Sequence, residues 1–135
     1  MTIKQWLSRA RVCDREITVL MKAMERERGR ILSITAQLDG DMVTHTADPH
    51  KFDSYVELMD SINQRIDALY AIKNEVKDLI ERVEDDRLRE ILLLRYVSLM
   101  TLEEIAVSMS YSYVHVCRLH GDALVAADAI WRKMI

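Results

Sequence analysis

The sequence predicts an all-α protein, and three observations support that fold class. Glycine and proline are scarce, with three and one in 135 residues, although the turns of all-β proteins use both heavily. Aromatic residues make up only 6% of the chain, whereas strong helix formers such as Leu, Ala, Glu and Arg dominate. Apolar residues recur with helical spacing along most of the chain. The length allows one or two small domains and argues against a barrel or a two-domain doubly wound fold.

An apolar stripe with alternating spacings of three and four residues predicts a first helix over about 3–38. A period of about 3.5 residues is typical of a helix that packs against a partner in coiled-coil fashion. The pattern stops at Asp39-Gly40-Asp41, so the segment to Pro49 is predicted to be a loop. The stripe consists of Ile3, Trp6, Ala10, Cys13, Ile17, Leu20, Met24, Glu27, Ile31, Ile34 and Leu38.

A second stripe predicts a helix over about 50–84, with Asp48 or His50 as its N-cap. The stripe consists of Phe52, Tyr55, Met59, Ile62, Ile66, Leu69, Lys73, Val76, Ile80 and Val83, in which only Lys73 is polar. Two helices of similar length joined by a loop predict an antiparallel coiled-coil helical hairpin as a first domain, 1–84. A coiled coil between two copies of the chain is the alternative that the pattern leaves open.

Charge divides unevenly along the chain, whose net charge is −3. Residues 1–37 carry eight basic and four acidic side chains, residues 38–85 carry five and twelve, and residues 86–135 carry six of each. The opposite signs favour pairing of the two long helices. The basic first helix could instead bind nucleic acid, although a run of charge on a helix is usually a solvated face. The negative total argues against a protein devoted to nucleic acid.

The sequence predicts a cytoplasmic protein without a cofactor, a metal or a membrane partner. No apolar run reaches the ~18 to 20 residues that span a bilayer, and the N-terminus lacks the apolar core of a secretory signal. Cys13 and Cys117, the two cysteines, are expected to be reduced thiols. Cys117 and His120 lie three residues apart, but no second pair of ligands has suitable spacing. No catalytic constellation is present, so we do not expect an enzyme.

Shorter helices are predicted in a second domain, 85–135. An aspartate cap precedes a helix predicted over 87–97. This helix is predicted to end at the segment 98–100. Thr101, with Glu104 three residues on, has the signature of a capping box, and Ser112 can cap a last helix. Two short helices joined by a tight turn have the outline of a helix-turn-helix.

The start of the last helix carries the candidate binding residues. Val116, Leu119 and Ala123 predict its buried face, which leaves Tyr113, Val114, His115, Cys117 and Arg118 where a recognition helix enters the major groove. Arg118 can donate two hydrogen bonds to a guanine, and Val114 can contact a thymine methyl. Helical spacing alone belongs more often to the core of a bundle than to a recognition helix.

Residues 87–124 resemble region 4 of bacterial sigma factors, which binds a promoter element. The matching positions are Arg89-Glu90-Ile91-Leu92, Leu94-Arg95-Tyr96, the run 101–106, Ser112, Val116, Ala123 and Leu124. The whole chain, with its Tyr111-Ser112 and Arg118-Leu119-His120 pieces, is similar to small ArpU-like proteins of prophages in Gram-positive bacteria, which are regarded as regulators of late transcription. The resemblance implies a DNA-binding surface of Arg95, Thr101, Ser112, Tyr113, Val114, His115, Cys117 and Arg118, with Arg95 and Thr101 against the DNA backbone.

The resemblance also implies the function. We expect a sequence-specific, double-stranded DNA-binding transcription regulator, a phage late-gene activator, with duplex DNA, host RNA polymerase and a second copy in a homodimer as partners. The alternatives are a phage DNA-packaging protein similar to a small terminase subunit, and a protein-only adaptor that binds RNA polymerase. The sigma pattern is rich in arginine where this chain has only Arg118, so we expect modest, salt-dependent affinity. Ser110 replaces the usual glycine of the turn and has to bear any left-handed conformation there.

Overall fold

The computed structural model describes residues 1–40, 50 and 52–135, without the side chains of 38–40, and contains no strand among them. Its elements are the long helices α1 (Ile3–Gly40) and α2 (Asp53–Glu81), then α3 (Asp86–Leu92), a π-helical turn (Leu93–Val97), α4 (Leu102–Met109) and α5 (Tyr113–Met134). The predicted all-α class is confirmed, with α1 ending two residues later and α2 three residues earlier than predicted. Asp48 and Pro49 lie outside the described residues. In the described part of the chain, no helix is both long and apolar enough to cross a bilayer.

The described chain forms two compact units. The first combines Met1–Asp14 with Tyr70–Ile135, and the second is Arg15–Leu69. Both long helices contribute one part to each unit. The predicted division into a helical hairpin, 1–84, and a helix-turn-helix domain, 85–135, stays a prediction.

The core of the first unit joins α1, α2, α3 and α5. Its fully buried side chains include Leu7, Val76, Leu79, Leu92 and Ala123, and burying a side chain of leucine size contributes about 1.5–3 kcal/mol. The apolar stripes drawn from the sequence omit Leu7 and Leu79. A stripe with a period of 3.5 residues describes contact with one partner helix, whereas here α1 and α2 also contact the shorter helices, which takes a wider apolar face.

The two long helices run antiparallel within each unit. In the first unit, Arg9 Nη2 lies 3.2 Å from Glu75 Oε2, and Lys73 Nζ lies 2.9 Å from Asp14 Oδ1. Higher numbers on α1 therefore meet lower numbers on α2, as in the predicted hairpin. Lys73, the break in the second stripe, is only half-buried and extends its ammonium group to a carboxylate. The coiled-coil character and the two-copy alternative stay predictions.

An ion pair in the second unit joins the same two helices. Arg65 donates from Nε and Nη2 to the two carboxylate oxygens of Glu16, at 3.1 and 3.0 Å. Ile17 and Ile66 are buried beside it, while Phe52, expected in the seam, is 39% exposed because it precedes the first residue of α2. The placement of Phe52 in the seam stays a prediction.

The helix predicted over 87–97 is not α-helical throughout. Asp85 caps it as expected, accepting from the amides of Arg87 and Leu88, but the backbone widens into a π-helical turn after Leu92. Ser98 N donates to Leu93 O at 2.9 Å, and Leu99 is left-handed with φ 59°. The break at 98–100 is confirmed, whereas a continuous α-helix is wrong. The wider i→i+5 ring lies at the end of this helical segment, just before the chain turns towards α4.

Gly121→Ala is expected to raise the free energy of unfolding by about 1 kcal/mol, because alanine is favoured over glycine by about this amount in a helix interior. No heavy atom lies within 4 Å of a Cβ at Gly121. Urea denaturation followed by circular dichroism measures the change. Gly29→Ala in α1, whose added Cβ is equally free of neighbours, is the matched control and should give a similar gain. A stability loss at Gly121 alone contradicts the open space there.

Candidate nucleic-acid interface

The start of α4 is fixed by a complete capping box. Thr101 Oγ1 accepts from the Glu104 amide at 3.1 Å, and Glu104 Oε1 accepts from the Thr101 amide at 3.2 Å. The two bonds satisfy donors that a helix N-terminus otherwise leaves open. The capping box predicted from the sequence is confirmed, and it defines where the helix-turn-helix begins.

The turn after α4 is closed by a left-handed serine. Ser110 has φ 59° and ψ 38°, its amide donates to Val107 O at 3.3 Å, and the Tyr111 amide donates to Ala106 O at 3.0 Å. This pair of bonds forms a Schellman motif, in which the left-handed residue is usually glycine. The left-handed conformation expected at Ser110 is therefore present. The Cβ of Ser110 makes it sterically unfavourable, but it allows the tight turn.

The second helix of the pair starts immediately after this turn. Ser112 Oγ accepts from the His115 amide at 3.1 Å, so Ser112 is the N-cap of α5, as predicted. An apolar cluster of Ile91, Ile105, Ala106, Val116 and Leu119 then joins α3, α4 and α5. Because these side chains are at most 7% exposed, the cluster holds α5 against α4 and determines which residues of α5 face solvent.

The residues predicted to face the groove lie together at the start of α5. Tyr113 and Val114 are 48% and 66% exposed, Arg118 is exposed, and Cys117 is half-buried. His115 differs, because its half-buried ring packs edge-on against Tyr111 with 4.8 Å between ring centroids. The exposed side chains provide a guanidinium, a phenol and an isopropyl group, which can contact the edges of base pairs and phosphates.

Two neighbours alter the chemistry of the Tyr113 phenol. Its hydrogen bond with Cys117 raises the pKa of Tyr113, and the charges of Cys117 and of Glu103 add to that shift. The phenol is therefore neutral at physiological pH. Its oxygen can accept a hydrogen bond from a base, and its single proton can be donated to a phosphate oxygen or a base if it turns away from Cys117. Glu103 in α4 at the same time places negative charge beside this surface, which opposes binding to a polyanion.

The two residues assigned to the DNA backbone also hold the fold together. Arg95 is half-buried, and its Nη1 donates to Met100 O at 2.9 Å, which ties the π-helical turn to the residue before the α4 cap. Thr101 is exposed, and its hydroxyl accepts the capping bond. A guanidinium has five N–H donors, so one internal bond leaves donors of Arg95 for a phosphate. Contact of either residue with DNA stays a prediction.

Sequence reasoning missed a buried polar pair that supports α5. Tyr96 Oη lies 2.9 Å from His120 Nε2, and the two side chains are 4% and 7% exposed. Burial lowers the pKa of His120, helped by the positive charges of Lys4 and Arg95, so the imidazole is neutral and its Nε2 shares a hydrogen bond with the phenol. Burial likewise raises the pKa of Tyr96, against the opposing charges of Arg95 and Arg11. The feature of the sequence that could have indicated a buried His120 was its position next to Leu119 on the apolar face.

In the described part of the chain, the predicted site is not part of a candidate metal centre. Over residues 1–40, 50 and 52–135, no group of three or more His, Cys, Asp or Glu side chains could hold a metal ion. His120, considered with Cys117 as a ligand, instead bonds to Tyr96. Within the described part of the chain, the buried Cys13 and the half-buried Cys117 are in no disulfide.

Comparison with known proteins assigns a class to the C-terminal helices. Residues 85–126 match the family model described as sigma-70, region 4, and this segment contains α3, α4, the turn at Ser110 and α5 up to residue 126. The chain therefore carries a sigma region 4-like, helix-turn-helix DNA-binding domain. Searches of curated proteins and of solved structures give no significant match.

Ser110→Gly is expected to raise the free energy of unfolding by about 1 kcal/mol, because glycine adopts φ 59° without the clash of a Cβ. Thermal and urea denaturation measure the change. Ser108→Gly, inside α4, is the matched control and should lower the free energy of unfolding by about 0.5–1 kcal/mol, since helix-interior glycine is unfavourable. Equal losses in both variants would contradict the left-handed geometry of the turn.

Stability is expected to fall as the pH drops below about 6.5, the ordinary pKa of histidine. The folded state lowers the pKa of His120, so between the two values the unfolded chain binds a proton that the folded chain does not. Urea denaturation from about pH 7.5 to about pH 5 measures this slope, and His120→Gln should reduce it. Tyr96→Phe keeps the buried imidazole, so it should retain the slope while losing about 1 kcal/mol at each pH. An unchanged slope in His120→Gln contradicts the assignment.

Proposed function

We propose that the protein is a sequence-specific, double-stranded DNA-binding transcription regulator whose α5 enters the major groove with its N-terminal turns. One observation carries the proposal. The segment that matches sigma-70, region 4 is also the segment in which a capped helix, a tight turn and a second helix leave Tyr113, Val114 and Arg118 exposed. In helix-turn-helix proteins the residues at this place contact base edges.

Each proposed contact follows from side-chain chemistry. Arg118 donates two hydrogen bonds to the O6 and N7 atoms of a guanine, and Val114 contacts a thymine methyl. The neutral phenol of Tyr113 donates to a phosphate or a base. Arg95, Thr101 and Ser112 lie on the phosphate backbone, where contacts fix the orientation of the protein rather than the base sequence. His115 and Cys117, both half-buried, line the edges of the contact surface.

The biological setting rests on the resemblance of the whole chain to ArpU-like prophage proteins. We place the protein in the cytoplasm as a phage late-gene activator that acts with host RNA polymerase and binds DNA as a homodimer. Two-fold dimers are common among helix-turn-helix proteins, because paired half-sites double the contact area. The small-terminase-like packaging role has no observation in its favour beyond the shared combination of a hairpin and a helix-turn-helix.

The charge of the matched segment favours a second candidate function. Residues 85–126 carry four basic and six acidic side chains, whereas phosphate contacts require cations. A protein-only adaptor that binds RNA polymerase through this domain accounts for the acidic excess without any DNA contact. For a DNA-binding protein the same excess means modest affinity that falls steeply with added salt.

Selection from random duplex DNA is expected to enrich one defined site, and Arg118→Ala should weaken binding to it by ~1–3 kcal/mol and relax the base preference at one position. Fluorescence anisotropy over a range of salt concentrations measures both the affinity and its salt slope. Arg132→Ala is the matched control, because Arg132 lies in the last turn of α5 and pairs with Asp128 at 2.8 Å. It should leave specificity unchanged.

Two outcomes decide against parts of the proposal. If no duplex is enriched while the protein still captures purified RNA polymerase, the adaptor function replaces the DNA-binding one. If a site is enriched but Arg118→Ala binds it as tightly and selectively as the parent chain, the protein binds DNA through another surface and the assignment of the recognition helix is wrong.

A further inference from the structure

The unit Arg15–Leu69 has a basic stripe on its α1 segment. Arg15, Lys22 and Arg26 are all exposed, and with Val19 they recur every three or four residues, so they share one face of the helix. We call these four residues the basic stripe. No carboxylate within the described part of the chain forms an ion pair with its three cations. The buried Ile17 lies on the other side of the helix, where α1 contacts α2.

The α2 segment of the same unit has an acidic stripe. Four exposed carboxylates and one exposed amide again recur every three or four residues: Asp53, Glu57, Asp60, Gln64 and Asp67. We call these five residues the acidic stripe. Asp53 pairs with His50 at 2.7 Å, while Glu57, Asp60 and Asp67 are in no ion pair with another described residue. The buried side chains Ile62, Ile66 and Leu69 lie on the opposite face.

The two stripes complement each other in charge and length. At 1.5 Å per residue, the basic stripe is about 17 Å long and the acidic stripe about 21 Å long. Each includes or borders an exposed valine, Val19 at 65% and Val56 at 52%. Both stripes face away from the α1–α2 seam of their own unit, so they cannot meet within one copy of the unit.

We infer that the hairpin unit is a self-association surface, in which the basic stripe of one copy binds the acidic stripe of another. Opposite charges set the orientation of the two copies and exclude pairing of like stripes. The two exposed valines are removed from water into an apolar contact. Duplex DNA is the competing occupant of the basic stripe. The second copy is favoured because the acidic stripe of the same unit repels a polyanion and because Val19 offers nothing to a phosphate.

The geometry gives this association a distinctive symmetry. Because the two surfaces are different and lie on opposite sides of the unit, the contact is head-to-tail rather than two-fold. Each pair of copies leaves one basic and one acidic stripe free, so the assembly grows beyond two copies as concentration rises. Exposed ion pairs are individually weak and screened by salt, so the association requires a high local concentration and a low ionic strength.

A charge exchange between two full-length variants tests the inference by analytical ultracentrifugation at low salt. Arg15→Glu/Arg26→Glu leaves a net negative charge on both faces. Glu57→Lys/Asp67→Lys cancels the net charge of the acidic stripe, because the two lysines balance Asp53 and Asp60, so this variant has no acidic face. Each variant alone should associate at least about tenfold more weakly than the parent chain. Their equimolar mixture should associate again, because the first variant keeps the acidic stripe and the second keeps the basic stripe.

Matched controls separate this result from effects of net charge and folding. Arg82→Glu/Lys133→Glu makes the same change in net charge as the first variant at exposed residues outside both stripes. This control variant should self-associate like the parent chain. When it is mixed with Glu57→Lys/Asp67→Lys, association should be no stronger than in a mixture of the parent chain with Glu57→Lys/Asp67→Lys. Circular dichroism should give the same helix content for all variants.

Three outcomes overturn the inference. The parent chain could fail to associate beyond a dimer at low salt and high concentration, or its association could be the same in the charge variants. The mixture could also fail to associate while Arg15→Glu/Arg26→Glu loses affinity for random-sequence duplex DNA, in which case the basic stripe binds DNA. Restored association in the mixture supports the inference, whatever the outcome of the DNA selection.

Discussion

The burial of one face of α5 is the constraint on which the rest of the site depends. Val116 and Leu119 belong to the cluster that joins α3 and α4, whereas Ala123 and Ala127 belong to the core shared with the long helices. His120 lies between the two sets and bonds to Tyr96 at 2.9 Å. A helix held on one face along most of its length cannot rotate without opening both clusters. Packing along the rest of α5 therefore determines which residues are exposed at its start.

Two left-handed residues other than glycine allow the short helices to reach this arrangement. Leu99 ends the π-helical turn and Ser110 ends α4, each with φ 59°. Such conformations cost roughly 1–3 kcal/mol each and persist where surrounding contacts determine them. At Leu99 the contact is the bond from Arg95 to Met100 O, and at Ser110 it is the packing of Tyr111 into the apolar cluster. Local strain is thus offset by tertiary contacts in both turns.

Electrostatics limits what this arrangement can do. A sigma region 4-like segment with four basic and six acidic residues gives little general attraction to phosphate, so directional contacts have to supply the selectivity. Acidic and basic charge is instead concentrated on the long helices, with opposite signs on α1 and α2 of the unit Arg15–Leu69. The distribution separates a weakly charged binding domain from a strongly polar hairpin, and the negative total of the sequence hides that separation.

The sequence by itself determined the all-α class, both long helices and the caps at Asp85, Thr101 and Ser112. These features depend on short-range physics, namely apolar period, side-chain bonds to neighbouring amides and turn chemistry. It also indicated the strained serine at Ser110, because a turn of this kind normally carries glycine. The match to sigma-70, region 4 agrees with that local pattern.

Only the tertiary structure decided the features that need several helices at once. The width of the apolar faces at Leu7 and Leu79, the π-helical turn, the edge-on packing of His115 and the Tyr96–His120 pair all depend on neighbours far apart in the chain. A single-helix pattern records which residues are apolar, but not how many partners a helix has or which buried donor meets which acceptor. His120 illustrates the difference, because its hydrogen-bond partner Tyr96 lies 24 positions earlier in the chain and on another helical segment.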